Sequence, residues 1–187
     1  MTEARSQFAT LRRELAKYYR DYGGNYVVIR SPFLHASILL SVLSFASWSS
    51  VQWADLSLST LPNLLGFSLG TYALLFSLMS GRMKQALKAL RNRRGIRYLD
   101  EINSTFFHFI LFQVVAILWA YVAKQTFVYS ICEALGLPSA VWNPALEIGL
   151  TFSSFVGIAL FSYSILLTVA SSLVIFRLAR LVDPNPN

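Results

Sequence analysis

Carboxylates are scarce in this chain: 9 of its 187 residues are Asp or Glu, against 16 Lys and Arg. Charged residues of both signs make up 13%, about half of what soluble domains carry, which speaks against an ordinary soluble protein. The shortage also bears on chemistry. Apart from Glu147, no acidic or basic side chain falls inside the apolar runs described below. A proton- or cation-coupled transporter needs such a group at mid-membrane depth. Glu147 sits at the edge of its run, where a carboxylate reads as a solvated helix start.

Cysteine is limited to Cys132, which excludes an intramolecular disulfide and any cysteine-based zinc site. The two histidines, His35 and His108, have no carboxylate or thiolate beside them in sequence, and two imidazoles alone make a poor metal site. No H-E-x-x-H, G-x-S-x-G, Walker or dinucleotide-binding pattern occurs. No serine has a candidate base at a telling spacing. The sequence therefore assigns no catalytic, metal or cofactor-binding residue and reads as non-enzymatic. Residues 1–31 lack an apolar run followed by a small-residue cleavage site, so no cleavable signal peptide is expected and the first span acts as its own insertion signal.

What the chain has in abundance is apolar surface: 55% hydrophobic residues and a mean hydropathy of +0.52. A membrane-crossing helix needs about 20 apolar residues. Four such spans fit, at about 32–53, 61–80, 102–123 and 146–176, in an all-α polytopic membrane domain. Ser31-Pro32 is a good start signal for the first. Trp48 and Trp53 fall where interfacial indoles prefer to sit, and Ser37, Ser41 and Ser44 form a small-residue stripe suited to close packing. Asp55 is expected in a short outer loop. In the second span Gly66 and Gly70 form a GxxxG pair extended by Ala73 and Ser77. Gly149, Ser153 and Gly157 give the fourth span a similar face. The pair on the second span reads as intramolecular packing ahead of a dimer contact, and both faces are candidates to set an oligomer. A short outer helix ending near Gly136 is expected between the third and fourth spans, with Trp142-Asn143-Pro144 at the membrane re-entry. Residues 181–187 read as a frayed tail.

The positive charge is strongly segregated. With the N-terminus inside, the cytoplasmic segments 1–31, 81–101 and the C-terminal end hold six, seven and two Lys or Arg, and only Lys124 lies outside. That asymmetry predicts both termini in the cytoplasm. A multi-pass protein of a bacterial inner membrane fits. On this topology the Asn103-Ser-Thr triplet, a glycosylation acceptor pattern, faces the cytoplasm and is silent.

Residues 4–22 read as an amphipathic helix ended by Gly23 and Gly24. Ala4, Phe8, Leu11, Leu15, Tyr18 and Tyr22 share one face, and Arg12, Arg13, Lys17 and Arg20 occupy much of the rest. The apolar face suits packing on the chain's own membrane domain or a neighbour's helix; it equally suits the cytoplasmic lipid interface. In the cytoplasmic loop, Met83, Leu87 and Leu90 lie opposite Lys84, Lys88 and Arg91 on a helix expected to continue the second span and to break near Asn92 or Gly95. His108 and Gln113 are the polar residues of the third span. An interhelical hydrogen bond to a serine is the expected role for His108, ahead of a proton relay, and His35 lies at a similar depth.

The basic loop carries the most functional weight. Arg82, Lys84, Lys88, Arg91, Arg93, Arg94 and Arg97 join the N-terminal cations in a cationic cytoplasmic face. Anionic headgroups are its minimal partner; an acidic protein is a further one, and nucleic acid enters only indirectly. In length, four spans, cytoplasmic termini and basic inner face, the chain resembles the small membrane subunit of Kiwa-type bacterial phage defence. The resemblance is one of plan across the whole chain. It implies an oligomeric membrane sensor working with a separate cytoplasmic effector that binds DNA. The expected function is thus a self-associating inner-membrane scaffold or sensor that recruits a cytoplasmic partner. The alternative is an oligomeric pore lined by the serines of the first span or by His108 and Gln113, and a lipid-modifying enzyme comes third.

Overall fold

The computed structural model describes residues 2–125, 131, 133–136 and 139–182. Cys132, part of the expected outer helix and the 183–187 tail lie outside the described residues, as do the side chains of Ala4, Trp142 and Arg180. The described chain is all-helical: α1 (Thr2–Tyr22), α2 (Gly24–Ile29), α3 (Pro32–Leu43), α4 (Gln52–Leu78), α5 (Gly81–Ala89), α6 (Tyr98–Ala123) and α7 (Ser139–Val182), with a short 3-10 turn at Phe45–Ser47.

Three helices are long and apolar enough to cross a membrane: Gln52–Leu78, Tyr98–Ala123 and Leu146–Ala179. They form a multi-pass membrane architecture, since most of their surface is apolar yet unburied by the chain itself. In place of the first expected span, 32–53, stands a shorter apolar helix. It stops at Leu43 after 12 residues, about 18 Å of rise against a hydrocarbon core of about 30 Å. Side-chain hydrogen bonds hold the end of the helix. Ser44 turns its hydroxyl back onto the Leu40 carbonyl, and the Trp48 indole N–H takes the Ser41 carbonyl. The indole satisfies a carbonyl that the helical ladder leaves free at the end of α3. Asp55 is likewise helical, in the first turn of α4, and no loop isolates it. Trp142-Asn143-Pro144 lies within α7, which begins at Ser139, while its apolar span starts at Leu146 as expected.

The four apolar segments alternate in direction. α3 packs Phe33 and Leu34 against the cluster that contains Tyr163 and Leu167 of α7 at one end. At the other end the Ser41 hydroxyl donates to the Phe155 carbonyl at 2.7 Å, and Trp48 meets the Phe155 ring edge-on. α4 runs back: Asp55 pairs with Lys124 at the end of α6, while the Tyr72 hydroxyl donates to Asn103 near the start of α6. The core divides accordingly. One cluster centres on Phe106, Phe109, Tyr163 and Leu167 at the cation-rich end. The other centres on Trp53, Ala54, Ala120 and Ile158 at the far end.

The helix after the second span does not continue as expected. It breaks at Met79, and Ser80 caps a new helix by accepting the Met83 N–H. Met83 and the buried Leu87 of α5 then join the core, whereas Leu90 is exposed. The expected break near Asn92 or Gly95 is a tight turn. Leu90 and Ala89 end α5, Arg91 and Arg97 form an antiparallel bridge, and Gly95 takes the left-handed φ of +76° that the reversal requires.

Candidate functional site

His108 sits about three helical turns before Ala120 of the far cluster, on the face of α6 that looks into the bundle, and is fully buried. Both ring nitrogens are occupied. Nδ1 shares a hydrogen bond with the Tyr18 hydroxyl at 2.6 Å, and Nε2 shares one with the Tyr163 hydroxyl at 2.9 Å. A neutral imidazole has one donor and one acceptor nitrogen, so one tyrosine donates to the ring and the other accepts from it. Tyr22 stacks on the imidazole at a centroid distance of 4.0 Å and an interplanar angle of 8°. The expected serine partner is thus corrected to two tyrosines, one of them on α1. His35 plays no part. It is exposed, and its Nδ1 bonds the Ser31 carbonyl four residues back in its own helix.

Gln113 does find a serine. Its side-chain amide donates to Ser68 of α4 at 3.1 Å, both groups being buried, while its carbonyl oxygen has no partner.

These contacts decide how α1 is seated. Its C-terminal end is docked through Tyr18, whose ring meets Phe107 edge-on at 4.8 Å, and through Tyr22. Its N-terminal half is not: Phe8, Leu11 and Leu15 are exposed. Packing on the chain's own domain therefore holds for the tyrosine end of the apolar face, and the face beyond it is bare. Burial pushes the Tyr18 phenol up to about 12, with help from Tyr22 and Tyr19, and burial also holds the Tyr22 phenol above its ordinary value.

A second fastening joins α1 to the basic turn. Arg94 donates to the Tyr22 carbonyl at 2.9 Å and pairs with Glu101 of α6 at 3.0 Å. Asn92 holds the other Glu101 oxygen. Gly23 makes room for this arginine: its φ is +118°, and a Cβ there would fall on Arg94 Nη1. Arg94 of the cationic set is thus engaged within the chain while staying exposed, and it caps one orphan carbonyl of α1. Arg91 is partly spent as well, on the Gly95 carbonyl. Arg13 and Arg20 have the adjacent Glu14 and Asp21. Arg12, Lys17, Arg82, Lys84, Lys88, Arg93 and Arg97 form no ion pair among the described residues and stay on the surface or at its edge.

The small-residue faces separate. Gly157 is a packing residue, with the Trp53 ring where its Cβ would be, and the Ser153 carbonyl accepts the Trp119 indole N–H. The intramolecular reading of Gly66 and Gly70 is corrected. Both have open space at the Cβ position, as does Gly149, and Ala73 and Ser77 are exposed beside them. The buried face of α4 is instead the one carrying Leu61 and Ser68.

The tyrosine pair and the Arg94 latch were missed in the sequence. The signal was there only in part: Tyr18 and Tyr22 stood on the apolar face, but nothing in the spacing pointed them at a histidine ninety positions away. Compared with known proteins, the chain matches no family model, no curated protein and no solved structure.

Proposed function

We propose that this protein is a non-enzymatic membrane scaffold that holds an acidic cytoplasmic partner through its cationic end. Four crossings, three made by the long helices and one by α3 together with residues 44–51, which pack on α7 through Trp48, would place both termini and the basic turn in the cytoplasm. The positive charge asymmetry of the sequence supports that orientation. A bacterial inner membrane fits it, and a role in phage defence follows from the resemblance in plan.

The observation that carries the reading is the division of labour among the basic residues. Arg94 closes the fold. Most of its neighbours on the turn, on α5 and on α1 have no counter-ion among the described residues and face outward. Unpaired surface cations steer and hold acidic partners, and the attraction weakens with salt. The bare small-residue face of α4 supports self-association by close helix approach. The pore draws less support, because His108 and Gln113 are both committed to contacts within one chain.

Affinity purification of the full chain in mild detergent tests the proposal, run beside a variant with Arg12, Lys17, Arg82, Lys84, Lys88 and Arg93 changed to Gln. A stoichiometric partner released by salt and absent from the variant is expected. Recovery of the same partner by the variant contradicts it. Ion flux from liposomes holding the protein alone would favour the pore.

A further inference from the structure

A cavity of about 820 Å³ lies at the cation-rich end of the bundle, open to the surface. α2 and the start of α3, the basic turn, α6 and the last turns of α7 enclose it. Its walls differ sharply in chemistry. Arg30, Arg93, Arg94 and Arg177 reach it, with Glu101 as the one carboxylate, whereas Phe33, Phe109, Leu167, Ala170 and Val174 supply an apolar floor. Glu101 is already held by Arg94 and Asn92. Arg30 lies over the Tyr26 ring at 4.4 Å, and neither Arg93 nor Arg177 has an ion pair among the described residues. Three guanidinium groups therefore border one cavity with no anion to balance them.

We infer that this cavity binds an anionic phospholipid drawn from the surrounding leaflet, its phosphate at Arg30, Arg93 and Arg177 and an acyl chain along the floor. Two features select a lipid over a soluble anion. The floor is built to exclude water, whereas a free phosphate prefers a polar cradle. It also continues through Leu173, itself half-exposed, onto the bare apolar surface of α7 around Val169, the surface that acyl chains touch in a bilayer. Guanidinium groups suit the headgroup because their planar forks donate paired hydrogen bonds to phosphate oxygens. Basic pockets between helices on the cytoplasmic side commonly hold anionic headgroups. The site rests on the proposed orientation for its leaflet, and it requires no protein partner.

The test uses the purified full chain with no cytoplasmic protein present, so its failure and that of the scaffold are separate results. The chain is reconstituted in vesicles of equal phosphatidylglycerol and phosphatidylcholine, extracted, and its retained lipid counted by native mass spectrometry. Phosphatidylglycerol should be retained about tenfold over phosphatidylcholine, the scale of one well-made charged contact. Arg93→Gln with Arg177→Gln should remove that preference. Ala170→Trp, which fills the floor while leaving every arginine, should lower retention with helix content unchanged by circular dichroism. Lys124→Gln, at the opposite end of the bundle and outside the cavity, should change nothing. Equal retention of the two lipids, undiminished retention in both cavity variants, or displacement by excess inorganic phosphate overturns the assignment.

Discussion

The Tyr18 hydroxyl of α1 lies 2.6 Å from Nδ1 of His108 in α6, ninety positions along the chain. Together with the bond from Nε2 to Tyr163, it ties the N-terminal helix to the interior of the membrane bundle. Tyr18→Phe keeps the ring contact with Phe107 and removes only the hydroxyl. It leaves a buried imidazole nitrogen unpaired, at a cost of about 1–3 kcal/mol to α1 docking. Faster hydrogen exchange confined to the second half of α1 is the expected result. Unchanged protection there would show that the hydrogen bond does not seat the helix.

Arg94 and Gly23 act together, so substituting either should release α1 from the basic turn. Gly23→Ala adds a Cβ both at a left-handed φ and on top of Arg94 Nη1, a strain on the order of 1–3 kcal/mol. Arg94→Gln loses the Tyr22 carbonyl and leaves Glu101 with Asn92 alone. Both variants should raise proteolytic cleavage near residues 23–30, whereas Arg93→Gln should not. Cleavage that rises equally in all three contradicts the latch.

Glycines on the two small-residue faces should respond oppositely. Gly157→Leu drives a side chain into Trp53 and should destabilise the α4–α7 contact strongly, read as a lower thermal midpoint in detergent. Gly66→Leu with Gly70→Leu meets open space and should leave that midpoint nearly unchanged. If the exposed face of α4 mediates self-association, the same pair should lower the oligomer mass measured by native mass spectrometry.

Alkaline pH gives a separate handle on α1. The Tyr18 phenol is raised from 10.0 to about 12, chiefly by burial, and Tyr22 shifts in the same direction. A raised value in the docked state means that the neutral phenol is favoured there. Its contribution is complete below pH 10 and is lost as pH climbs towards 12. Tyrosinate absorbance should show a late-titrating class, and a distance label between α1 and α6 should report separation over the same range. Separation at neutral pH would contradict this account.

Much of the architecture was legible because apolar length and charge segregation are properties of long windows. The three long helices follow from runs such as 61–80 and 102–123, extended in the fold by several residues each. The end of α3 at Leu43 was not legible, because the bonds that hold it, from Ser44 and Trp48 to carbonyls in the same segment, leave no mark on hydropathy. The glycine faces were ambiguous for a related reason: spacing places Gly66 and Gly157 equally well, and only Trp53 decides which is filled. The histidine site was half visible. His108 stood out as a polar residue in an apolar span, but its tyrosine partners come from separate helices whose meeting is set by tertiary packing.

The most direct test of the scaffold is partner recovery across a salt gradient, comparing the full chain with the six-cation variant named above. A partner held one-to-one by the wild-type chain, released as salt rises and lost in the variant at unchanged helix content, is the predicted result. A partner bound equally by both, or a wild-type chain that recovers only itself, would contradict a cationic docking platform.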